Sequence, residues 1–138
     1  MKERLTLKDG SIYEGDVVNG KPHGKGKQTY ENGMFYEGGF DNGEWHGTGK
    51  FTFQGSVYEG GYINGKMHGK GKFISSQGII YEGDYIDNYS HGTGKLTSPG
   101  GDIYEGDFAN GEPHGKGKKT YANGRVEDGK WENDKFIG

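Results

Sequence analysis

Five histidines recur in register. His23, His46, His68, His91 and His114 each follow a tyrosine by ten residues, and each precedes a glycine. Imidazoles at fixed spacing invite a metal-binding or acid–base reading, but geometry argues against it. Equivalent residues of successive hairpins lie two strands apart, roughly 9–10 Å. Zinc holds its nitrogen ligands at about 2.0–2.1 Å, so neighbouring histidines cannot share one ion. No extra Asp or Glu cluster recurs beside them. The expectation is an imidazole that buttresses a turn, with no metal site and no cofactor.

Other chemistries fare no better. Cys is absent, which excludes thiol catalysis, disulfides and cysteine zinc sites. The Gly-x-Gly segments lead into strands rather than helices, so they are not phosphate loops. Every candidate acid or base is one copy in a ladder of near-identical units, and no catalytic residue is expected. A net charge of −3, from 17 Lys+Arg against 20 Asp+Glu, gives no footprint for nucleic acid.

Binding residues are better candidates. Lys25, Lys27, Lys70, Lys72, Lys116, Lys118 and Lys119 would make a basic edge for anionic phospholipid. Of these, Lys25, Lys70 and Lys116 have no carboxylate partner in the strand pairing derived below. Trp45 and Met67 stand just before a histidine, where other units have Pro or Ser, and Tyr89 occupies the same connection of its unit. Exposed in loops, these three would form an apolar strip. With Tyr62 and Tyr85 they are the candidate contacts for a protein or peptide partner. The simpler alternatives are a solvated charge ladder and a core of tyrosines.

The elements that must position these residues are short and periodic. Tyr-Glu-Gly begins at Tyr13, Tyr36, Tyr58, Tyr81 and Tyr104, in steps of 23, 22, 23 and 23. Glycine recurs too often for helix, and there are 30 glycines with only 3 prolines. Aromatic and β-branched runs alternate with Asn-Gly, Asp-Gly and Gln-Gly, the pattern of β-hairpins. Hydrophobic residues are only 28%, yet aromatics reach 14%, so any core must be thin and built of rings. No apolar run is long enough for a membrane-spanning helix or a signal peptide.

Pairing fixes a register. Lys8-Asp9-Gly10 and its equivalents suit three-residue loops with a final Gly at positive φ, and Gln54-Gly55 a two-residue loop. Across each hairpin Arg4 then faces Glu14, Lys27 Glu37, Lys50 Glu59, Lys72 Glu82, Lys95 Glu105, and Lys118 Asp128. A one-residue slip would exchange the faces and lose this regularity. The other face carries the tyrosines, with facing glycines such as Gly26–Gly38 and Gly49–Gly60 beside them. Those glycines leave a trough over which flat rings can lie. Val17, Phe40, Tyr62, Tyr85, Phe108 and Trp131 form a second inward column.

The motif Tyr-Glu-Gly-x-Φ-x-Asn-Gly-x-x-His-Gly-x-Gly, repeated through five units, resembles the MORN repeat (membrane occupation and recognition nexus). The resemblance implies an all-β, elongated single-layer antiparallel meander of about twelve strands. It spans residues 1–138 as one array: a partial unit over 1–12, full units starting at Tyr13, Tyr36, Tyr58, Tyr81 and Tyr104, and a partial unit over 127–138. In the family's enzymes catalysis belongs to another domain, so the resemblance implies a non-enzymatic scaffold. The expected partner is a peptide or helix lying along the aromatic groove, with self-association through the open sheet edges besides. Alternatives are a membrane adaptor using Lys25, Lys70 and Lys116, and a repeat fragment that targets a larger enzyme. The expected compartment is the cytoplasm, at its membrane or cytoskeletal periphery in the adaptor reading.

Overall fold

The computed structural model describes residues 2–138, and no helix forms among them. The first strands of the units are β2 (Ile12–Val18), β4 (Phe35–Asp41), β6 (Ser56–Ile63), β8 (Ile80–Ile86), β10 (Ile103–Ala109) and β12 (Val126–Glu132). The histidine strands are β3 (Lys21–Thr29), β5 (Glu44–Phe53), β7 (Lys66–Ile74), β9 (Tyr89–Thr97) and β11 (Glu112–Thr120). Strand β1 (Lys2–Thr6) opens the sheet and β13 (Lys135–Phe136) closes it. All thirteen pair in sequence order in a single antiparallel sheet. The thirteenth strand exceeds the dozen expected. It forms because Phe136 folds back beside Trp131, ring centroids 5.3 Å apart.

The turns follow from local chemistry. Gly10, Gly33, Gly78, Gly101 and Gly124 close the three-residue loops at φ between 86° and 101°. Gln54 and Gly55, at φ 48° and 82°, make the two-residue turn. At the other end of the strands, Asn19, Asn42, Asn64, Asp87 and Asn110 hold φ near 50°. Asn and Asp tolerate that left-handed region.

The register matches the expected one and continues between hairpins. Glu14 faces Arg4 on one side and Lys27 on the other, and so on to Asp128. One face thus carries a row of alternating charge. The charges themselves stay apart. Among the described residues the one lysine–carboxylate ion pair lies elsewhere, at Lys70–Asp84 (2.5 Å). Lys27 instead lies over the Phe35 ring at 4.6 Å. Exposed Lys–Glu pairs gain only about 0–1 kcal/mol, which holding two long side chains still can offset.

The opposite face holds the core. Each histidine strand bends at His-Gly, where its pairing with the preceding strand shifts, as between Gly38 and Phe40. The bend brings the tyrosine row against the second aromatic column. Edge-to-face contacts zigzag from Tyr13 through Phe40, Tyr36, Tyr62, Tyr58, Tyr85, Tyr81, Phe108 and Tyr104 to Trp131, at centroid distances of 4.8–5.3 Å. Such pairs add about 0.5–1.5 kcal/mol each beyond area burial. The hydroxyls of Tyr13, Tyr36, Tyr58, Tyr81 and Tyr104 each donate to the backbone carbonyl three residues on, Tyr36 to Gly39 at 2.9 Å and Tyr81 to Asp84 at 2.8 Å. The glycine trough is required. A Cβ on Gly49 would run into the Tyr36 ring, and one on Gly71 into that of Tyr58.

Candidate functional site

Three of the five histidines hold the turn of the next unit. His23 Nδ1 accepts the Asn42 backbone N–H (3.2 Å), His91 that of Asn110 and His114 that of Asn133 (3.4 Å each). The backbone stitches the same junction, with Gly43 N–H donating to the Pro22 carbonyl and Gly65 N–H to that of Trp45, both at 2.8 Å. Each unit therefore docks its asparagine turn onto the histidine strand before it.

Trp45, Met67 and Tyr89 are placed differently from the expectation. They lie in strands β5, β7 and β9, not in loops. The connection closes in two residues, so the chain is already extended at these positions. Trp45 pairs with Phe40 and Met67 with Tyr62, which puts both on the aromatic face. Tyr89 pairs with Ile86 and, by alternation along the strand, belongs to the opposite face. There it is 57% exposed beside Ile86. The three residues do not form one strip. Tyr62 and Tyr85 are 3% and 7% exposed and sit inside the aromatic zigzag. Burial pushes the phenols of both well above the ordinary tyrosine value.

One apolar cleft remains open on this face. Its volume is about 280 Å³, and Trp45, Phe51, Phe53, Met67 and Phe73 line it over Tyr58 and Tyr62, with Asn88 at its rim. Phe51 and Phe53 stack at 4.9 Å and Phe53 stacks on Phe73 at 6.3 Å. These lining side chains are half-buried. Polar contacts bound the cleft's row. Gln28, at the position of Phe51, is closed off between Ser11 Oγ (2.8 Å) and Trp45 Nε1 (2.9 Å). Lys119, also at that position, lies over Tyr121 at 4.9 Å. The apolar cleft thus lies in the middle of the sheet, while half-buried Leu5, Leu7 and Leu96 hold the same positions in other units.

The lysine candidates occupy the charged face. Lys25, Lys70 and Lys116 stand in alternate units, four strands or about 19 Å apart. Lys70 is not without a carboxylate, because its Nζ meets Asp84 Oδ1. The partner lies across the β7–β8 pairing, where Lys70 faces Asp84, rather than in the ladder row. Lys116 faces Lys130.

The repeat geometry accounts for the sequence comparison. A family model described as MORN repeat matches residues 13–35, 36–55, 58–79, 81–103 and 104–124. The chain belongs to the MORN-repeat family. No curated protein is a significant match to it. Among solved structures it is similar to the SAS-4 (dCPAP) TCP domain of Drosophila melanogaster, whose structure is a complex with a proline-rich motif of Ana2 (dSTIL). The TM-score is 0.49 and the identity 17%, over 91% of this chain and 75% of that one.

Phe51, Phe53 and Phe73 are the MORN-array residues that sequence reasoning did not single out as binding residues. A signal was present. At the position of Phe53 the other units have Leu7, Tyr30, Ser75, Ser98 and Tyr121, and at that of Phe51 and Phe73 they have Leu5, Gln28, Leu96 and Lys119. Only in the middle do both positions of a unit become phenylalanine.

Proposed function

We propose that this MORN-repeat array is a protein-interaction module, and that it takes a peptide segment of a partner in the central cleft between Trp45 and Met67. The observation that carries this reading is the contrast on one face. The tyrosine row and second column are sealed in the core, while Trp45, Phe51, Phe53, Met67 and Phe73 stay half open around one concavity. Half-open aromatic and methionine side chains are what protein interfaces favour. Successive units repeat at roughly 9.6 Å, about three residues of extended chain. An extended segment crossing the strands therefore spans one unit in about three residues, with alternate side chains turned toward the sheet. The role is binding rather than catalysis, since the polar groups lining the cleft are the Asn88 amide and phenols raised by burial.

The test is capture from an extract of the source organism followed by mass spectrometry, with variants as baits. The repeat supplies substitutions that the fold already holds elsewhere: Phe53→Ser as at Ser75, Phe73→Gln as at Gln28, and Met67→Ser as at Ser90. A partner retained by the wild-type chain and lost with these variants, at unchanged melting temperature, supports the reading. A partner lost only with Lys25→Glu, Lys70→Glu and Lys116→Glu together, alongside salt-sensitive binding to phosphoinositide vesicles, moves the site to the charged face and refutes it.

A further inference from the structure

Two adjacent units depart from the other three at the position three residues after the tyrosine. There stand Asp16, Asp84 and Asp107, but Gly39 and Gly61 in the middle units. Each aspartate staples the bend of the next strand. Asp16 Oδ2 accepts the Lys25 N–H, Asp84 that of Thr93 and Asp107 that of Lys116, all at 3.1 Å. A Cβ on Gly24, Gly92 or Gly115 would press on that carboxylate at 2.8–2.9 Å. The middle units have no carboxylate there, and a carbonyl takes the space. A Cβ on Gly39 would collide with the His46 carbonyl oxygen, and one on Gly61 with that of His68. Gly47 and Gly69, equivalent to the crowded Gly24, have open space where a Cβ would go.

The imidazoles follow the same division. His23, His91 and His114, in the aspartate units, accept the N–H of the next turn. In the glycine units His46 Nδ1 is buried without a partner among the described residues. The turn beyond His68 is held differently, by Met67 N–H donating to Asn88 Oδ1 at 2.9 Å. The residue before the histidine divides likewise: Pro22, Ser90 and Pro113 against Trp45 and Met67. Four features thus change together, and the cleft lies between the two altered bends.

We infer that the residue three places after each tyrosine sets which of two bend forms its unit adopts, and that Gly39 and Gly61 are the specificity-determining positions of the array because they create the cleft. Any side chain at either position excludes the carbonyl that the glycine form brings there. The form of the bend does not depend on the proposed function. Only its link to recognition rests on that reading.

Amide hydrogen exchange by NMR on the full chain reads the bend without any partner. Gly39→Asp supplies the staple, so His46 Nδ1 becomes the acceptor for Asn64 N–H, whose exchange slows roughly tenfold. Gly61→Asp does the same for Asp87 through His68. The converse change, Asp84→Gly, releases His91 and speeds exchange at Asn110 by a similar factor, which keeps the test open should the glycine variants not fold. A folded Gly39→Asp with Asn64 unchanged, or Asp84→Gly with Asn110 unchanged, overturns the bend assignment. Partner capture through Gly39→Asp/Gly61→Asp at wild-type level, with both bends converted, overturns the specificity claim and leaves the assignment standing.

Discussion

The indole of Trp45 lies flat on the ring of Tyr36, with planes 4° apart and centroids at 4.3 Å. Its Nε1 donates to Gln28 Oε1, and Gln28 Nε2 donates in turn to Ser11 Oγ. One side chain thus stacks on the core and satisfies a buried amide. The two roles separate by mutation. Trp45→Phe keeps a ring on Tyr36 but leaves the Gln28 oxygen without its donor, at a cost of about 1 kcal/mol. Trp45→Ala loses both, at about 3 kcal/mol. Urea denaturation measures both losses, and equal losses would show that the stacking contributes nothing.

That double role explains why the strip was only partly legible in the sequence. Trp45 and Met67 stood out because their neighbours in the repeat are Pro or Ser. Their alternation from Tyr89 depended on where the strand resumes after Asn-Gly, and that is set by a turn only two residues long. The register, the charge row and the glycine trough were readable throughout, because a period-two pattern repeated through five units allows one solution. The cleft was not, because half-exposure depends on how the bend brings the Phe51 row beside the Trp45 position. Nor was the missing ion pairing in the ladder. Facing charges say nothing about whether long side chains meet.

The glycine trough should be far less tolerant than the loops. Gly49 has Tyr36 lying over it, so Gly49→Ala forces the ring out of the core. The expected loss is about 3 kcal/mol or more, at the upper end for overpacking. Gly33 has open space around it but sits at φ 89°. Gly33→Ala should lose only about 1 kcal/mol, the strain of a left-handed alanine. Thermal melts of the pair would reverse this order if the Tyr36 ring shifts freely.

Acid should weaken the fourth bend. The Lys70 ammonium, and then the Thr93 N–H, hold the Asp84 carboxyl below its ordinary value of 3.8. A lowered folded-state pKa stabilises the fold above the unfolded value and loses that contribution as pH falls below it. The wild-type chain should therefore exceed Asp84→Asn in stability at neutral pH, and the gap should close as pH drops below 3.8. The Lys70 share is small, about 1 kcal/mol at most, because that side chain is 81% exposed. A gap that persists unchanged in acid would assign the stapling to shape rather than charge.

Alkali should unfold the whole array, because its core is made of phenols. Burial pushes Tyr36, Tyr58 and Tyr104 up to about 12 from the ordinary 10.0, and Tyr62, Tyr81 and Tyr85 higher still. Ionising any of them puts a charge into the aromatic zigzag, and for Tyr36, Tyr58, Tyr81 and Tyr104 it also breaks the O–H bond to a backbone carbonyl. The sign follows from linkage. A raised folded-state pKa contributes stability that is complete below the unfolded value near 10 and lost as pH climbs toward 12. Several such groups share one core, so their losses fall in the same window. The melting temperature should hold steady up to about pH 9.5 and then drop steeply. Tyrosinate absorbance should rise in one cooperative step together with loss of the strand signal in circular dichroism. Tyr81→Phe should shift that step to higher pH, by removing one titrating phenol at the expense of its bond to the Asp84 carbonyl. A gradual rise in absorbance near pH 10 with the strand signal intact would mean that the phenols titrate in place and that the row is open to water.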